Sequence, residues 1–168
     1  MNSAGVLLDA YGRIQGRVHN VVDGLTTEQL HARVGERANS IAWLVWHLTR
    51  IQDDHIAGVA AVEQRWVASG WVERFGLPFD AGATGYGHSA DEVAQVRVES
   101  GAQLVDYYDD VHAQTLAYVG SLTDADLDRI VDRRWDPPVT LGVRLVSVIG
   151  DNLEHAGQAA FVRGLLGA

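Results

Sequence analysis

Two stretches of this chain place ionisable side chains inside apolar helical patterns. The first, "AWLVWHLTRIQDDHI", runs from Ala42 to Ile56 and puts His47 in an apolar run at helical spacing. An imidazole on such a stripe can bind a divalent ion, since histidine is the commonest metal ligand in proteins. From His47 alone, a core histidine bonded to a backbone carbonyl or to a tyrosine is the simpler interpretation.

The second stretch, "VIGDNLEHAGQAAF", favours the metal interpretation. Asp151 and His155 are four residues apart, so on a helix they lie one above the other on the same face. A carboxylate and an imidazole at that spacing can bind one ion, as paired histidines do in helical zinc motifs. A surface Asp–His pair is the alternative, but apolar residues continue the same face and predict partial burial. Glu154 would replace Asp151 if the helix were rotated.

Other polar residues on these two stretches are candidates for roles around the ion. Asp54 follows His47 by seven residues, two turns or about 10 Å along the axis, which is too far for both to bind one ion directly. Helical side chains tilt toward the N-terminus, so Asp54 is predicted to orient His47 or to act on substrate. His55 is a second catalytic candidate. Arg50 and Arg144 are candidates for substrate binding, with a solvated surface position as the alternative.

The elements that must position these residues can be read from the spacing of apolar residues. Recurrence at intervals of three and four predicts long amphipathic helices, and capping boxes predict short helices after Thr26 and after Ser89. The long helices are expected from about Ser3 to Leu25, from Asn39 or Ser40 to Val62, in the stretch up to Leu122, and from Leu141 to Leu166.

Between these helices, the connections give no sign of strands or of a second domain. Period-two alternation never persists along the chain. The link "GLPFDAGATGYGHS" is interpreted as a flexible connection and a candidate lid, and "RRWDPPVT" as a break between helices. Residues 1–168 are therefore predicted to form one all-α domain, a four-helix bundle with short extra helices in its connections.

Composition narrows the functions that this domain can have. The net charge of −9 argues against a nucleic-acid partner. The chain has no cysteine, which excludes disulfides and thiolate catalysis, so any metal must be held by His, Asp or Glu. No apolar run reaches transmembrane length and the start lacks the features of a signal peptide. A cytoplasmic protein without a membrane partner is expected. A homodimer is considered as its assembly, although the sequence does not fix the oligomeric state.

Together these residues resemble the DinB-like superfamily, and more closely its mycothiol-dependent branch of mycothiol S-transferases and maleylpyruvate-isomerase N-terminal domains. "SIAWLVWHLTRIQDDH" is similar to the second-helix motif, in which a histidine follows an apolar run. "DNLEHAGQAAFVRGLL" is similar to the fourth-helix motif, which ends in His-x-Gly-His or His-x-Gly-Gln. The resemblance extends over nearly the whole chain and implies a four-helix bundle of the DinB type.

The resemblance also implies a ligand set and a co-substrate. The three metal-binding side chains of the family correspond here to His47, Asp151 and His155. Many relatives have histidine at the position of Asp151, and this chain instead follows the acid-x-x-x-His order of maleylpyruvate isomerases. Zinc is the expected ion, although nickel, manganese and iron accept such ligands. Mycothiol is the implied thiol.

Three functional hypotheses follow from the sequence. The first is a metal-dependent mycothiol S-transferase or isomerase-like enzyme, in which the ion activates the thiol for attack on an electrophile. The second is a helical bundle that binds a metal or a small ligand without turnover. The third is a hydrolase that uses metal-bound water. Metal content separates an inert bundle from the two enzymes, and dependence on added thiol separates the transferase from the hydrolase.

Overall fold

In the computed structural model, which describes residues 2–168, four long helices form a bundle and short elements fill the connections. The elements in chain order are α1 (Ser3–Val22), α2 (Thr27–His31), α3 (Ile41–Ala60), α4 (Arg65–Ala68), α5 (Trp71–Phe75), α6 (Ala90–Gln95), α7 (Gly101–Gly120), a 3₁₀ turn (Asp124–Asp128), β1 (Ile130–Asp132), β2 (Val139–Thr140) and α8 (Leu141–Leu165). The predicted class, a mostly helical DinB-type bundle with extra helices between its long ones, is confirmed.

Local capping signals in the sequence explain most of the helix starts. The capping boxes at Thr26 and Ser89 both form, and the Ser40 side chain accepts a bond from the Trp43 backbone N–H at the start of α3. The end of α1 was predicted three residues too late, since the helix stops at Val22. The small antiparallel sheet was not predicted, because strands of three and two residues are too short to show alternation.

Helix α3 lies at the centre of the bundle and packs mainly against α7 and α8. It is buried on nearly every side, which explains why its sequence carries no wide polar stripe. A buried chain of side-chain amide bonds crosses it. Asn152 donates to Gln52 at 2.5 Å, and Gln52 donates to the Thr115 hydroxyl at 2.9 Å. These bonds link α8 and α7 to α3, which runs antiparallel to α8 and parallel to α7.

An ion pair in the core ties the connection after α3 to the bundle. The Asp53 carboxylate accepts bonds from the backbone N–H groups of Arg65 and Trp66 at 2.8 and 2.7 Å, and from the Tyr107 hydroxyl at 3.0 Å. The Arg50 guanidinium lies 3.7 Å away, and neither charged side chain is exposed. Asp53 thus caps the start of α4 from a different helix and satisfies donors that the Gln64 cap position leaves free.

The position of Arg50 corrects the substrate-binding role expected for it. Its guanidinium donates to the Gln64 side chain at 2.8 Å and to the Ala83 and Ala81 carbonyls at 3.1 and 3.4 Å. Because the side chain is fully buried and its donors are used by these groups, Arg50 anchors the loop and presents no charge to a ligand.

Among residues 2–168, no helix is both long and apolar enough to cross a membrane.

Candidate metal centre

His47 on α3 and the pair Asp151 and His155 on α8 meet in one place. Each contributes one potential ligand atom, and these atoms all lie within 4.8 Å of one another. The two imidazole rings stand edge to face with centroids 4.8 Å apart, and Nε2 of His155 is 3.6 Å from the Asp151 carboxylate. His47 is buried, whereas Asp151 and His155 are partly exposed, so the group opens on the α8 side.

The ring of His47 is held by a hydrogen bond and by stacking. Its Nδ1 lies 2.6 Å from the Thr84 carbonyl oxygen. A carbonyl only accepts, so Nδ1 carries the hydrogen and Nε2 keeps its free lone pair. Trp43, one turn earlier on α3, stacks on the ring with centroids 4.6 Å apart and planes 15° apart. The bond to a backbone carbonyl, which a core histidine would also make, here leaves Nε2 available for an ion.

One carboxylate oxygen of Asp151 is suited to binding a cation. Its Oδ2 is buried without a hydrogen-bond partner in the described structure, which is costly for a carboxylate unless a positive charge is supplied. The Nδ1 of His155 bonds Gln158 Oε1 at 3.0 Å, leaving Nε2 on the side of Asp151. Glu154, the alternative acid, lies exposed and outside the group.

Gly85 lets the connecting loop approach His47 closely. Its φ is +91°, and an added Cβ would lie 2.8 Å from His47 Nδ1, 2.9 Å from the Trp46 ring and 3.3 Å from the Trp43 ring. Only glycine combines this backbone conformation with this contact. Together with the bonds from Arg50, it shows that the link interpreted as a flexible connection lies fixed against the site.

Replacing Gly85 by alanine is expected to destabilise the fold by about 1–3 kcal/mol from backbone strain. It should also weaken metal binding by roughly 10- to 100-fold, because it displaces the carbonyl that orients a ligand. Gly87→Ala is the matched control, since Gly87 has φ +77° but no atom within 4 Å of an added Cβ. Urea unfolding and metal titration of both variants test this. Equal metal affinities would contradict a role for the Gly85 contact.

The two histidines of the group have opposite electrostatic environments. Burial lowers the pKa of His47, with the Thr84 bond opposing it. The hydrogen bond that the Asp151 carboxylate accepts from the imidazole is the main cause that raises the pKa of His155, against its partial burial. His47 is therefore neutral at neutral pH, whereas His155 retains a proton to a higher pH than an ordinary histidine.

Metal affinity is accordingly expected to fall as the pH drops through about 6–7, where protons compete for the imidazoles. The fall should begin above the ordinary histidine pKa, because the raised pKa of His155 lets a proton compete there first. Calorimetric titration between about pH 8 and 5 measures this. A flat affinity over that range would argue against ligation by histidine.

Asp54, His55 and Arg144 line a cavity further along α3 and α8, which none of the three ligand residues lines. The cavity has a volume of about 590 Å³ and is also lined by Arg129, Asp132 and Arg134. Arg144 donates to His55 Nδ1 and to Asp132, each at 3.1 Å. His55 follows His47 by eight residues, about 12 Å along α3, and the Asp151 charge still raises the pKa of His55 against its larger lowering by burial.

The expected contact of Asp54 with His47 does not form. Asp54 accepts a bond from Gln64 Nε2 at 2.9 Å and faces the cavity. Thr84 takes the place expected for Asp54 in orienting the imidazole. The loop reaches the Nδ1 side of His47 through the Thr84 carbonyl, and Gly85 lies against the same ring.

Sequence reasoning missed several residues around the group. Trp43 could have been found, because its position four residues before His47 places it on the same face. Thr84 and Gly85 give no local signal, since the contact spans 37 residues. His88 accepts a bond from Trp43 Nε1 at 3.3 Å, and its ring stacks on that of Trp46.

Comparisons with known proteins cover both helices that carry the group. A family model described as Mycothiol-S-transferase matches residues 7–168. Among solved structures, the chain is similar to a crystal structure from Enterococcus faecalis described as a conserved protein of a locus. The two are 29% identical, with a TM-score of 0.93 over 100% of this chain and 99% of that chain. The comparison with curated proteins finds no match. By its match over residues 7–168, the chain belongs to the mycothiol-S-transferase family.

Proposed function

We propose that this chain is a metal-dependent enzyme that conjugates whole mycothiol through its sulfur to an electrophile, with His47, Asp151 and His155 as the metal ligands. The main support for the proposal is that three ligand atoms lie within 4.8 Å of one another. One of these residues, Asp151, has a buried oxygen that finds no hydrogen-bond partner among residues 2–168. The family match supplies the class of thiol.

The donor set fits a catalytic ion better than a structural one. Three protein ligands leave positions open for water or substrate, and one carboxylate with two imidazoles suits zinc, with nickel, manganese or iron as alternatives. Such an ion supplies a Lewis acid that lowers the pKa of a thiol. Because the chain has no cysteine, the sulfur must come from a co-substrate. A reduced thiol of this kind favours a cytoplasmic location, which is part of the proposal.

The cavity lined by Asp54, His55 and Arg144 can bind the polar body of the thiol. Arginine only donates, so the Nδ1 of His55 accepts from Arg144 and the hydrogen of the neutral ring lies on Nε2. Burial lowers the pKa of His55, which keeps this ring neutral at pH 7. His55 can thus donate to a hydroxyl or carbonyl of the ligand, while the Asp54 carboxylate accepts from a hydroxyl.

Mycothiol consumption with a panel of electrophiles tests the proposal. Protein loaded with zinc should form the thioether conjugate, and chelator-treated protein should not. Product release without added thiol would indicate the metal-dependent hydrolase instead. If loaded protein neither turns over any electrophile nor binds mycothiol by calorimetry, the bundle is a binding protein without this activity.

Asp54→Asn is expected to keep its metal but to lose roughly 10- to 100-fold in turnover or thiol affinity, as is typical when a supporting polar contact is removed. The reason is that Asp54 lines the cavity and is not one of the three residues whose ligand atoms converge. Asp106→Asn makes the same charge change at an exposed position on α7. Metal content and kinetics of both variants measure the effect. Loss of metal from Asp54→Asn would instead place its carboxylate on the ion.

A further inference from the structure

The outer face of α8 is apolar where a surface helix should be polar. Residues that point away from the core at spacings of three and four are mostly large and hydrophobic, and they are well exposed: Val143 54%, Val146 61%, Leu153 39%, Phe161 66% and Leu165 57%. The opposite side of α8 fills the bundle core. Apolar residues on both sides are typical of a helix that is buried on both sides.

Three glycines lie within the same outer face. Gly150, Gly157 and Gly164 recur every seven residues inside α8, and an added Cβ at each would meet no atom within 4 Å. Glycine destabilises a helix interior relative to alanine. Within residues 2–168 there is thus no steric reason for these glycines, but close approach of another helix would provide one.

A groove in the bundle surface lies at one end of this face. It is about 290 Å³ in volume, almost entirely apolar, and is formed by α1, the 3₁₀ turn and the start of α8. Val6, Leu127 and Val146 are among its walls. At the other end of the face, Phe161 projects with two thirds of its side chain exposed. One surface therefore carries both an apolar projection and an apolar recess.

We propose that this face is the interface of a homodimer in which two copies of α8 cross antiparallel on a two-fold axis near Leu153 and Glu154. Such a crossing brings Val146 opposite Phe161 of the second copy, because the two residues are nearly equally distant from the axis. Phe161 of each copy then enters the groove beside Val146 of the other. Gly150 meets Gly157 close to the axis, which permits the helices to approach closely. A two-fold interface requires this self-complementarity.

Size and charge both favour a second copy as the occupant. The face runs from Val143 to Leu165, about 33 Å at 1.5 Å per residue, and with the adjoining edge of α1 it is about 20 Å wide. Two copies would cover roughly 1,300 Å² in total, within the range of stable interfaces. With a net charge of −9, copies repel one another, so contact is least costly where charge is sparse. Glu154, at the border, is the one ionisable residue on the α8 part of this face, and Arg17 lies on the α1 edge beside Ala160.

The dimer would leave the metal centre accessible. Asp151 precedes Gly157 by six residues, so it lies about 120° round the helix from the middle of the outer face. Dimer formation through this face is therefore independent of the activity of the site. It can be tested on protein without metal or thiol.

Sedimentation velocity at micromolar concentration tests the proposal, with wild type expected at twice the 18.2 kDa chain mass. Phe161→Glu should shift the protein to monomer. Gly157→Gln should do the same without harming the fold, since the added side chain meets nothing within the chain and glutamine favours helix. For both variants the dissociation constant should rise at least 100-fold, with unchanged circular dichroism.

Matched controls separate this face from the general surface. Val34→Glu adds the same charge at a valine that is 47% exposed in a connection. Gly12→Gln makes the same change at an open glycine of α1, one turn before Gln15, which bonds α7. Both should remain dimers. A monomeric wild type, which would leave the face for a different protein, or a dimer unaffected by Phe161→Glu and Gly157→Gln, would overturn the proposal.

Discussion

Thiol transfer is expected to disappear, and metal affinity to fall by on the order of 100-fold or more, when His47 is replaced by glutamine. Removing a direct ligand should lower the metal affinity at least as much as removing a group that only orients a ligand. Glutamine is chosen because its amide can still donate to the Thr84 carbonyl, which accepts from Nδ1 in the wild type. The loop contact and most of the side-chain volume are thus retained, while the imidazole lone pair is lost.

Elemental analysis, metal titration and mycothiol turnover measure this change. His112→Gln is the control, because His112 is also a buried histidine, 3% exposed, on α7 and is not part of the ligand group. It should keep metal and activity. If His47→Gln binds a full equivalent of metal with unchanged affinity, the ion is held elsewhere and the proposed ligand set is wrong.

Asp53→Ala is expected to cost about 3–5 kcal/mol of unfolding free energy, because it leaves a buried charge without its partner. The unpaired charge would be that of Arg50, which lies 3.7 Å from Asp53 and is fully buried. The variant also orphans the backbone N–H groups of Arg65 and Trp66 and the hydroxyl of Tyr107. For a chain of this length, the thermal midpoint should drop by on the order of 10 °C.

Urea unfolding of Asp53→Ala beside Asp54→Ala provides the comparison. Asp54 is the next residue, but it is partly exposed and accepts one hydrogen bond, from Gln64, so its loss should cost about 1 kcal/mol or less. Metal affinity should also fall in Asp53→Ala, since Asp53 and Arg50 hold the connection that reaches His47. Equal stabilities of the two variants would show that the buried pair contributes little.

The two neighbouring aspartates show which parts of the fold and site could be predicted from the sequence. Helical spacing predicted the long helices, and it placed Asp151 and His155 on one face of α8, because both depend only on local geometry. Spacing also drew attention to Asp54 as the acid in line with His47. It could not show that Asp53 is the buried one, because that depends on α4 and α7 packing against the other side of α3.

The loop contacts were beyond sequence reasoning for a related physical reason. The Thr84 carbonyl and the Gly85 backbone act through main-chain atoms, which every residue has, so residue type carries little information about them. Arg50 is similar. Its sequence position suggested a surface cation, whereas its burial follows from carbonyl acceptors more than 30 residues away.

The buried bonds from Asn152 to Gln52 and from Gln52 to Thr115 also have a consequence for assembly of the bundle. Apolar side chains would allow α8 to slide along α3 by one turn, about 5.4 Å, with little change in packing. Such a shift would leave these amides without hydrogen-bond partners. The same happens to buried polar residues in misaligned coiled coils. The shift would also carry Asp151 and His155 away from His47. The amides therefore select the single alignment in which the ligand atoms converge, so the folded chain is preorganised for an ion before one arrives.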